Sequence, residues 1–218
     1  LYIYRESGGE LLAFASELKC FEEMGLELTL DARALSFYRW LGYIPAHMTI
    51  YEQCRKLGAA SWARLSLEAD TLPEVDARLY WDPFTGAARR FEGTYEDAID
   101  EFLGLLDDAV SARLLSDVPV GAFLSGGIDS SLVVASLASM GVEGVEAFTV
   151  KPEEAARDES DVAQETARAL GISSHLLHLR REDYGRQLER VPWYYDEPFS
   201  DSSQIPTMAI AQAARRHV

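Results

Sequence analysis

Gly121-Ala-Phe-Leu-Ser-Gly-Gly-Ile-Asp-Ser-Ser131 is the stretch on which the reading of this chain turns. A short apolar strand runs into two glycines, an aspartate and two serines, and an apolar, helix-like stretch over residues 132–140 follows. A strand that ends in a glycine turn at a helix start is an anion site. Free backbone N–H groups and the positive end of the helix dipole converge there, and glycine lets a phosphate approach the backbone. Ser125, Ser130 and Ser131 add hydroxyl donors, and Asp129 is suited to a divalent cation that travels with the phosphates. The plain alternative is a connection that happens to be rich in glycine. S-G-G-x-D-S-S between such a strand and such a helix favours the anion site, and no Walker-type G-x-x-x-x-G-K-[ST] is present.

Outward from the loop, the texture is that of alternating strands and helices. Thr94-Tyr-Glu-Asp97 opens like a capping box. Ile99, Phe102, Leu103, Leu106, Val110 and Leu114 then recur at steps of three and four, which predicts an amphipathic helix of about six turns. A strand over residues 118–124 leads into the loop. Beyond it follow a strand near 145–150, a helix near 160–170 stopped by Gly171, a strand near 175–179 and a helix near 182–191. Such alternation implies an α/β fold, a parallel sheet with helices on both faces. Ligands on these sheets bind at the carboxyl ends of the strands, where the Ser125 loop lies.

The first third reads differently. Residues 2–5 and 11–16 form a hairpin pattern around Ser7-Gly-Gly-Glu10. Asp31 opens a helix as N-cap, with Leu35, Phe37, Tyr38 and Leu41 among its apolar positions, and Gly42 closes it. Leu65-Ser-Leu67 and Arg78-Leu-Tyr-Trp81 read as strands among irregular, proline-containing sequence.

Composition narrows the function classes. The 218 residues are 48% hydrophobic, enough for a real core in one large domain or two small ones. A net charge of −16 argues against nucleic acid as a partner, because phosphates are repelled over most of such a surface. Cys20 and Cys54 are too few for a disulfide framework and fit a reducing compartment. No apolar run reaches the roughly 20 residues of a membrane span, and residues 1–20 lack a signal-peptide pattern, so the expectation is a soluble, cytoplasmic protein without a membrane partner.

Ser125-Gly-Gly-Ile-Asp-Ser-Ser131 resembles the pyrophosphate-binding loop of the N-type ATP pyrophosphatases, which cleave ATP between the α and β phosphates. With Ser116-Asp-Val-Pro-Val-Gly121 and Tyr195-Asp-Glu-Pro-Phe-Ser-Asp-Ser-Ser203, it is similar to the synthetase domain of glutamine-hydrolysing asparagine synthetases. Leu12-Ala-Phe-Ala-Ser-Glu-Leu-Lys19, Gly42-Tyr-Ile-Pro45, Thr49-Ile-Tyr51 and Arg55-Lys-Leu57 follow that family's order between its glutaminase and synthetase domains. The resemblance therefore covers essentially the whole chain. It implies an adenine nucleotide α-hydrolase-like sheet over residues 71–218. Residues 1–70 would be the closing strands of a β-rich, N-terminal-nucleophile glutaminase domain and a connector.

The implied reaction joins ATP and aspartate into β-aspartyl-AMP and pyrophosphate, after which glutamine-derived ammonia attacks and releases asparagine and AMP. Ser125, Gly126, Gly127, Ser130 and Ser131 would grip the pyrophosphate, and Asp129 would ligate Mg²⁺. The resemblance also allows a homodimer of the full-length protein. An acidic chain remains compatible with ATP because the loop and the metal supply local positive potential.

Other candidates carry two readings each. Leu124 and Val150 sit at strand ends and either border an adenine or are simply core residues. Asp196, Glu197, Asp201, Ser202 and Ser203 crowd a proline-containing loop; they either position a substrate amine and its carboxylates or form a solvated acidic loop. His175 and His178 are three apart in a strand and face opposite sides, so the four histidines are expected to be ordinary structural or surface residues. Trp40, Trp62, Trp81 and Trp193 are expected as packing residues, and neither cysteine as a nucleophile.

Leu1 is not the cysteine nucleophile of such glutaminases, and the family's second acidic S-G-[DE]-G segment would follow Val218. The sequence therefore reads as a fragment that catalyses nothing alone. Three function classes stay open: the asparagine-forming ligase, a related amidotransferase or cyclase acting on another carboxylate, and a non-catalytic nucleotide-binding module.

Overall fold

The computed structural model describes residues 1–6, 8, 12–65, 75–85, 90–153 and 158–218. They form two compact units, Leu1–Arg90 with Arg190–Asp201, and Phe91–Glu189 with Ser202–Val218. The boundary expected at residues 70–71 lies outside the described residues, as do most of the Ser7–Glu10 turn and Ser66 and Leu67 of an expected strand.

In the first unit, β1 (Tyr2–Arg5) pairs antiparallel with β2 (Leu12–Ala15), then come the short α1 (Lys19–Glu23) and α2 (Ala32–Leu41). Asp31 caps α2 by accepting from the N–H groups of Arg33 and Ala34 at 2.8 and 3.4 Å. Gly42 ends it at φ 80°, the left-handed conformation the C-terminal position requires. β3 (Cys54–Lys56) pairs on the other side of β1. Tyr4, Leu18, Phe21, Ala34, Ile44, Ile50 and Cys54 make the core between these elements. Burial pushes the Cys54 thiol up to about 11, away from nucleophile chemistry. β4 (Ser61–Arg64) and β5 (Asp76–Leu79) form a separate antiparallel pair, and β5 starts two residues before the expected Arg78–Trp81 strand. The tryptophans correct an expectation: Trp40, Trp62, Trp81 and Trp193 are all exposed, and Trp62 lies beside the guanidinium groups of Arg64 and Arg78 instead of in a core.

The second unit begins with α3 (Tyr95–Ser111), whose capping box is real: Asp97 N–H donates to Thr94 Oγ1, and Thr94 N–H to Asp97 Oδ2. α3 is shorter than six turns. Arg113 and Leu114 donate to carbonyls three residues back, so the last turn tightens and stops, although Leu114 still packs on the core. Apolar spacing reported burial there, not helical bonding. β6 is only Gly121–Phe123, because Pro119 has no N–H for a ladder and Val118 is exposed. α4 (Ile128–Ser139), β7 (Glu146–Pro152), α5 (Ser160–Ala169), β8 (Ser173–Leu179) and α6 (Arg181–Leu188) follow. The helix expected to continue to 191 breaks after Leu188, since Pro192 cannot donate to the Leu188 carbonyl, and α7 (Val191–Tyr195) starts anew within the first unit. α8 (Gln204–Ala214) returns to the second unit.

The strands β6, β7 and β8 lie side by side in that order, all parallel. Alternation along β7 shows that both faces are covered. Ala147 joins the cluster with Val134, Leu137, Ala163 and Ala167 of α4 and α5, whereas Phe148 points the other way, onto Ile210 and Ala214 of α8. This is the α/β layer that the sequence predicted. No helix among the described residues is long and apolar enough to cross a membrane.

Candidate functional site

The carboxyl end of β6 carries the loop. Leu124 is fully buried there and continues the ladder: its N–H donates to the Phe148 carbonyl at 2.8 Å, and its carbonyl accepts from Thr149 Oγ1 at 2.8 Å. The chain then turns through Gly126 at φ 76° and enters α4 with Gly127 as N-cap.

The two glycines do different jobs. A Cβ on Gly126 would sit 2.7 Å from the Glu159 carbonyl oxygen and 3.3 Å from the Ala163 nitrogen, so this turn is pressed onto the start of α5. Gly127 has ordinary extended backbone, φ −74° and ψ 159°, and its Cβ would meet only Ser125 Oγ at 3.4 Å. The protein itself does not need glycine at 127. The open face above the helix start is where an incoming group gains from the missing side chain.

The serines are wired to hold the turn. Ser130 Oγ donates to the Gly127 carbonyl (3.1 Å), accepts from Ser125 N–H (3.2 Å) and lies 3.1 Å from Ser125 Oγ. Gly127 N–H leans on Ser125 Oγ at 3.4 Å. The first intrahelical bond runs from Ser131 N–H to the Gly127 carbonyl, which leaves the N–H groups of Ile128, Asp129 and Ser130 without intrahelical acceptors. Their partial positive charge and the dipole of a three-turn helix point at the same exposed spot. Asp129 is exposed in this first turn, and Ser131 is half-buried behind it.

A cleft of about 360 Å³ opens beside the loop, lined by Leu124, Ser125, Ser130, Val150, Pro206 and Ile210 among others. Its floor is apolar and its rim carries hydroxyls, the make-up of a site for a flat, partly apolar ligand with a polar tail. Val150 lines the cleft with its backbone paired opposite Leu177. Next along β7, Lys151 is paired with Asp158 and Asp161, and a hydrogen bond from Ser160 together with Lys151 holds the Asp158 carboxyl down at about 2.

Asp196 and Glu197 have an occupation that neither of their two readings anticipated. Asp196 Oδ2 accepts from Leu18 N–H at 2.7 Å, and Oδ1 lies 2.7 Å from Lys19 Nζ. Glu197 Oε1 accepts from Ile50 N–H at 2.7 Å, and Oε2 lies 2.6 Å from Lys56 Nζ. Both carboxylates are largely buried within the first unit and are engaged by these contacts, so neither is a free substrate-facing group nor part of a solvated loop. Burial pulls Lys19 down, but its contacts with Asp196 and Glu17 outweigh that and leave it raised. Asp201 ends the first unit, and Ser202 and Ser203 open the second; all three are exposed, and Ser203 is the residue before α8. Sequence reasoning missed Lys19 and Lys56 because nothing local marks a lysine that pairs across more than a hundred residues.

A glycine turn and an unfilled helix start stand at the carboxyl edge of a parallel sheet, beside an apolar cleft, in an α/β domain. The family model for asparagine synthase matches residues 101–218, and the chain belongs to that family. A putative glutamine-hydrolyzing asparagine synthetase of Mycobacterium tuberculosis is 35% identical over all of this chain and 33% of its own length. Glutamine-hydrolyzing asparagine synthetase 1 of Bacillus subtilis is 31% identical over 99% of this chain and 33% of its own length. An amidase of Penicillium rubens, chyE, is 31% identical over 94% of this chain and 32% of its own. The chain thus spans about one third of the length of the curated relatives it matches. Among solved structures, an NMN synthetase from Francisella tularensis overlaps 58% of this chain and 52% of its own at 16% identity and a TM-score of 0.39, a likeness too loose to bear on the fold.

Proposed function

We propose that this chain carries the pyrophosphate grip of an ATP-dependent amide-forming ligase that turns aspartate into asparagine through β-aspartyl-AMP, with glutamine-derived ammonia as the nitrogen donor. The observation that carries the reading is the unfilled start of α4, whose N–H groups at 128–130 lack intrahelical acceptors, beside a cleft that Ser125 and Ser130 line and past a glycine that the protein's own packing does not require. In this reading the cleft takes the adenine against Leu124 and Val150, and the loop takes the departing pyrophosphate. Backbone donors fixed in advance stabilise the charge that develops on the leaving group at no cost of reorganisation. Ser125 and Ser130 keep the donors aimed.

The donor set fits Mg²⁺, since one exposed carboxylate, Asp129, stands in the same helical turn as the phosphate donors, and Mg²⁺ is commonly held by one or two carboxylates plus phosphate oxygens. When bound it would supply charge neutralisation of the phosphates. Asp201, Ser202 and Ser203 stay as candidates for contacts to the acceptor, whereas Asp196 and Glu197 serve to anchor their segment. Residues 1–70 are proposed as the closing part of a glutaminase domain, residues 71–218 as the first part of the synthetase domain, and the cytoplasm as the site of action.

The test is Asp129→Ala in the full-length enzyme. Mg²⁺-dependent pyrophosphate release should collapse while glutamine hydrolysis persists; unchanged synthetase activity sinks the metal role. Residues 1–218 alone should form no asparagine from ammonia, aspartate and ATP, and measurable product would overturn that. A second reading, the same chemistry on another carboxylate, is favoured by the match to a protein described as an amidase at an identity close to that of the synthetases. Acceptor trials on the full-length protein separate the two.

A further inference from the structure

At the amino end of the same sheet stands a second cluster of chemistry-bearing side chains. Glu146 opens β7, and Phe148 pairs opposite His175 of β8, so Glu146, Phe148 and His175 share one face of the sheet. His217, just past α8, comes to that face from the helix that covers it. Glu146 Oε2 lies 3.0 Å from His175 Nε2 and 4.0 Å from His217 Nδ1, and the three donor atoms all fall within 4.8 Å of one another. Among the described residues this is the group of three placed to share an ion.

The imidazoles are held by packing. Phe148, nearly fully buried, stacks on His175 with ring centres 5.0 Å apart and an interplanar angle of 14°. It also touches His217 at 5.7 Å, and the two imidazoles are 4.2 Å apart. Gly121, the β6 residue opposite Glu146, makes room for that ring, since a Cβ there would sit 2.6 Å from Phe148 Cε2.

We infer that Glu146, His175 and His217 form a site for a divalent transition metal of the Zn²⁺ class, distinct from the phosphate cradle. Two imidazole nitrogens and one carboxylate suit Zn²⁺, Co²⁺ or Ni²⁺, whereas Mg²⁺ and Ca²⁺ prefer all-oxygen shells. Tetrahedral Zn²⁺ with bonds of about 2.0–2.1 Å sets its donors about 3.3 Å apart, so the three atoms need shifts of an ångström or so. The ion would take the place of the contact between Glu146 and His175 and leave one position for water. Six residue steps along β7 separate this end from Pro152, about 20 Å, so the ion clips α8 to β7 and β8 and does not touch the nucleotide.

The experiment is titration of the metal-free protein with Zn²⁺ at pH 7.5 by calorimetry, with Co²⁺ absorption to report tetrahedral nitrogen ligation. One equivalent should bind and raise the midpoint of thermal unfolding. Losing even an outer-shell partner costs about 10–100-fold in affinity, so His217→Ala and Glu146→Gln should each weaken Zn²⁺ at least that much. Asp129→Ala should bind Zn²⁺ like the unaltered protein. His217 lies at the end of a helix with an exposed ring, so its loss leaves the fold intact even where His175→Ala does not. No binding, binding unchanged by His217→Ala, or binding lost with Asp129→Ala overturns the proposal.

Discussion

Replacing Gly126 by alanine tests whether the loop is clamped by the protein or merely flexible. The residue sits at φ 76°, where an L side chain costs about 1–2 kcal/mol. Its new Cβ would stand 2.7 Å from a backbone oxygen, Glu159 O, which no side-chain rotation relieves, so the start of α5 must retreat by several tenths of an ångström. Overpacking of that kind costs about 1–3 kcal/mol. The sum, about 2–5 kcal/mol, is a large part of the stability of an ordinary domain. Denaturant unfolding followed by far-ultraviolet circular dichroism should show it, as a fall in midpoint without gain of a new state. Gly127→Ala is the internal control: its backbone is unstrained and its Cβ meets only a hydroxyl at contact distance, so the loss should be no more than about 1 kcal/mol, that of a poorer N-cap. A Gly126→Ala protein within about 0.5 kcal/mol of the parent would refute the clamp, because strain and clash are each larger than that.

Other expectations follow from the same contacts. Gly127→Ala, stable as it is, should weaken ATP binding by the full-length enzyme, measured by calorimetry; undiminished binding would remove the loop from the phosphate site. Glu197→Gln should lower the stability of the first unit by about 1–3 kcal/mol, less than the 3–5 of a fully buried pair because Lys56 is partly exposed. A substrate role would instead leave unfolding unchanged and impair only the acceptor. Thr149→Val leaves the buried Leu124 carbonyl without its hydroxyl donor and should cost about 1–2 kcal/mol in thermal unfolding. Burial pushes the Asp31 carboxyl up, but donors from Arg33 and Ala34 and the Arg33 guanidinium outweigh this and hold it low. Its contribution is therefore complete above the unfolded value near 4 and fades as pH falls through the lower folded value. Asp31→Ala should cost about 1 kcal/mol at pH 7 and progressively less in acid, read from urea midpoints against pH.

What was legible in the sequence has a local cause. The caps at Asp31, Gly42 and Thr94 are decided within four residues, and so is the Gly126 turn into α4. Strand and helix alternation gave the parallel layer. Boundaries failed where a proline removed a donor, as at 119 and 192, or where a helix tightened over Arg113 and Leu114. The occupation of Asp196 and Glu197 was invisible, because a carboxylate looks the same whether its lysine is near in sequence or 177 positions away (196 − 19). His175 was judged against His178, its neighbour in sequence, when its neighbour in space is His217.

The return of residues 190–201 to the first unit bears on how the protein is made. A ribosome delivers about 5–20 residues each second, and domains generally close in the order they emerge. Here the first unit cannot close in that order, because its last piece arrives only after the whole strand–helix stretch from 91 to 189 has been synthesised. Until then Lys19 and Lys56 wait without Asp196 and Glu197, and the Gly42 carbonyl without the N–H of Ser200. The earlier-made unit is thus completed later than its position in the chain implies, and a nascent chain released after Glu189 would carry Lys19 with Glu17 alone and Lys56 without Glu197 on an unfinished surface.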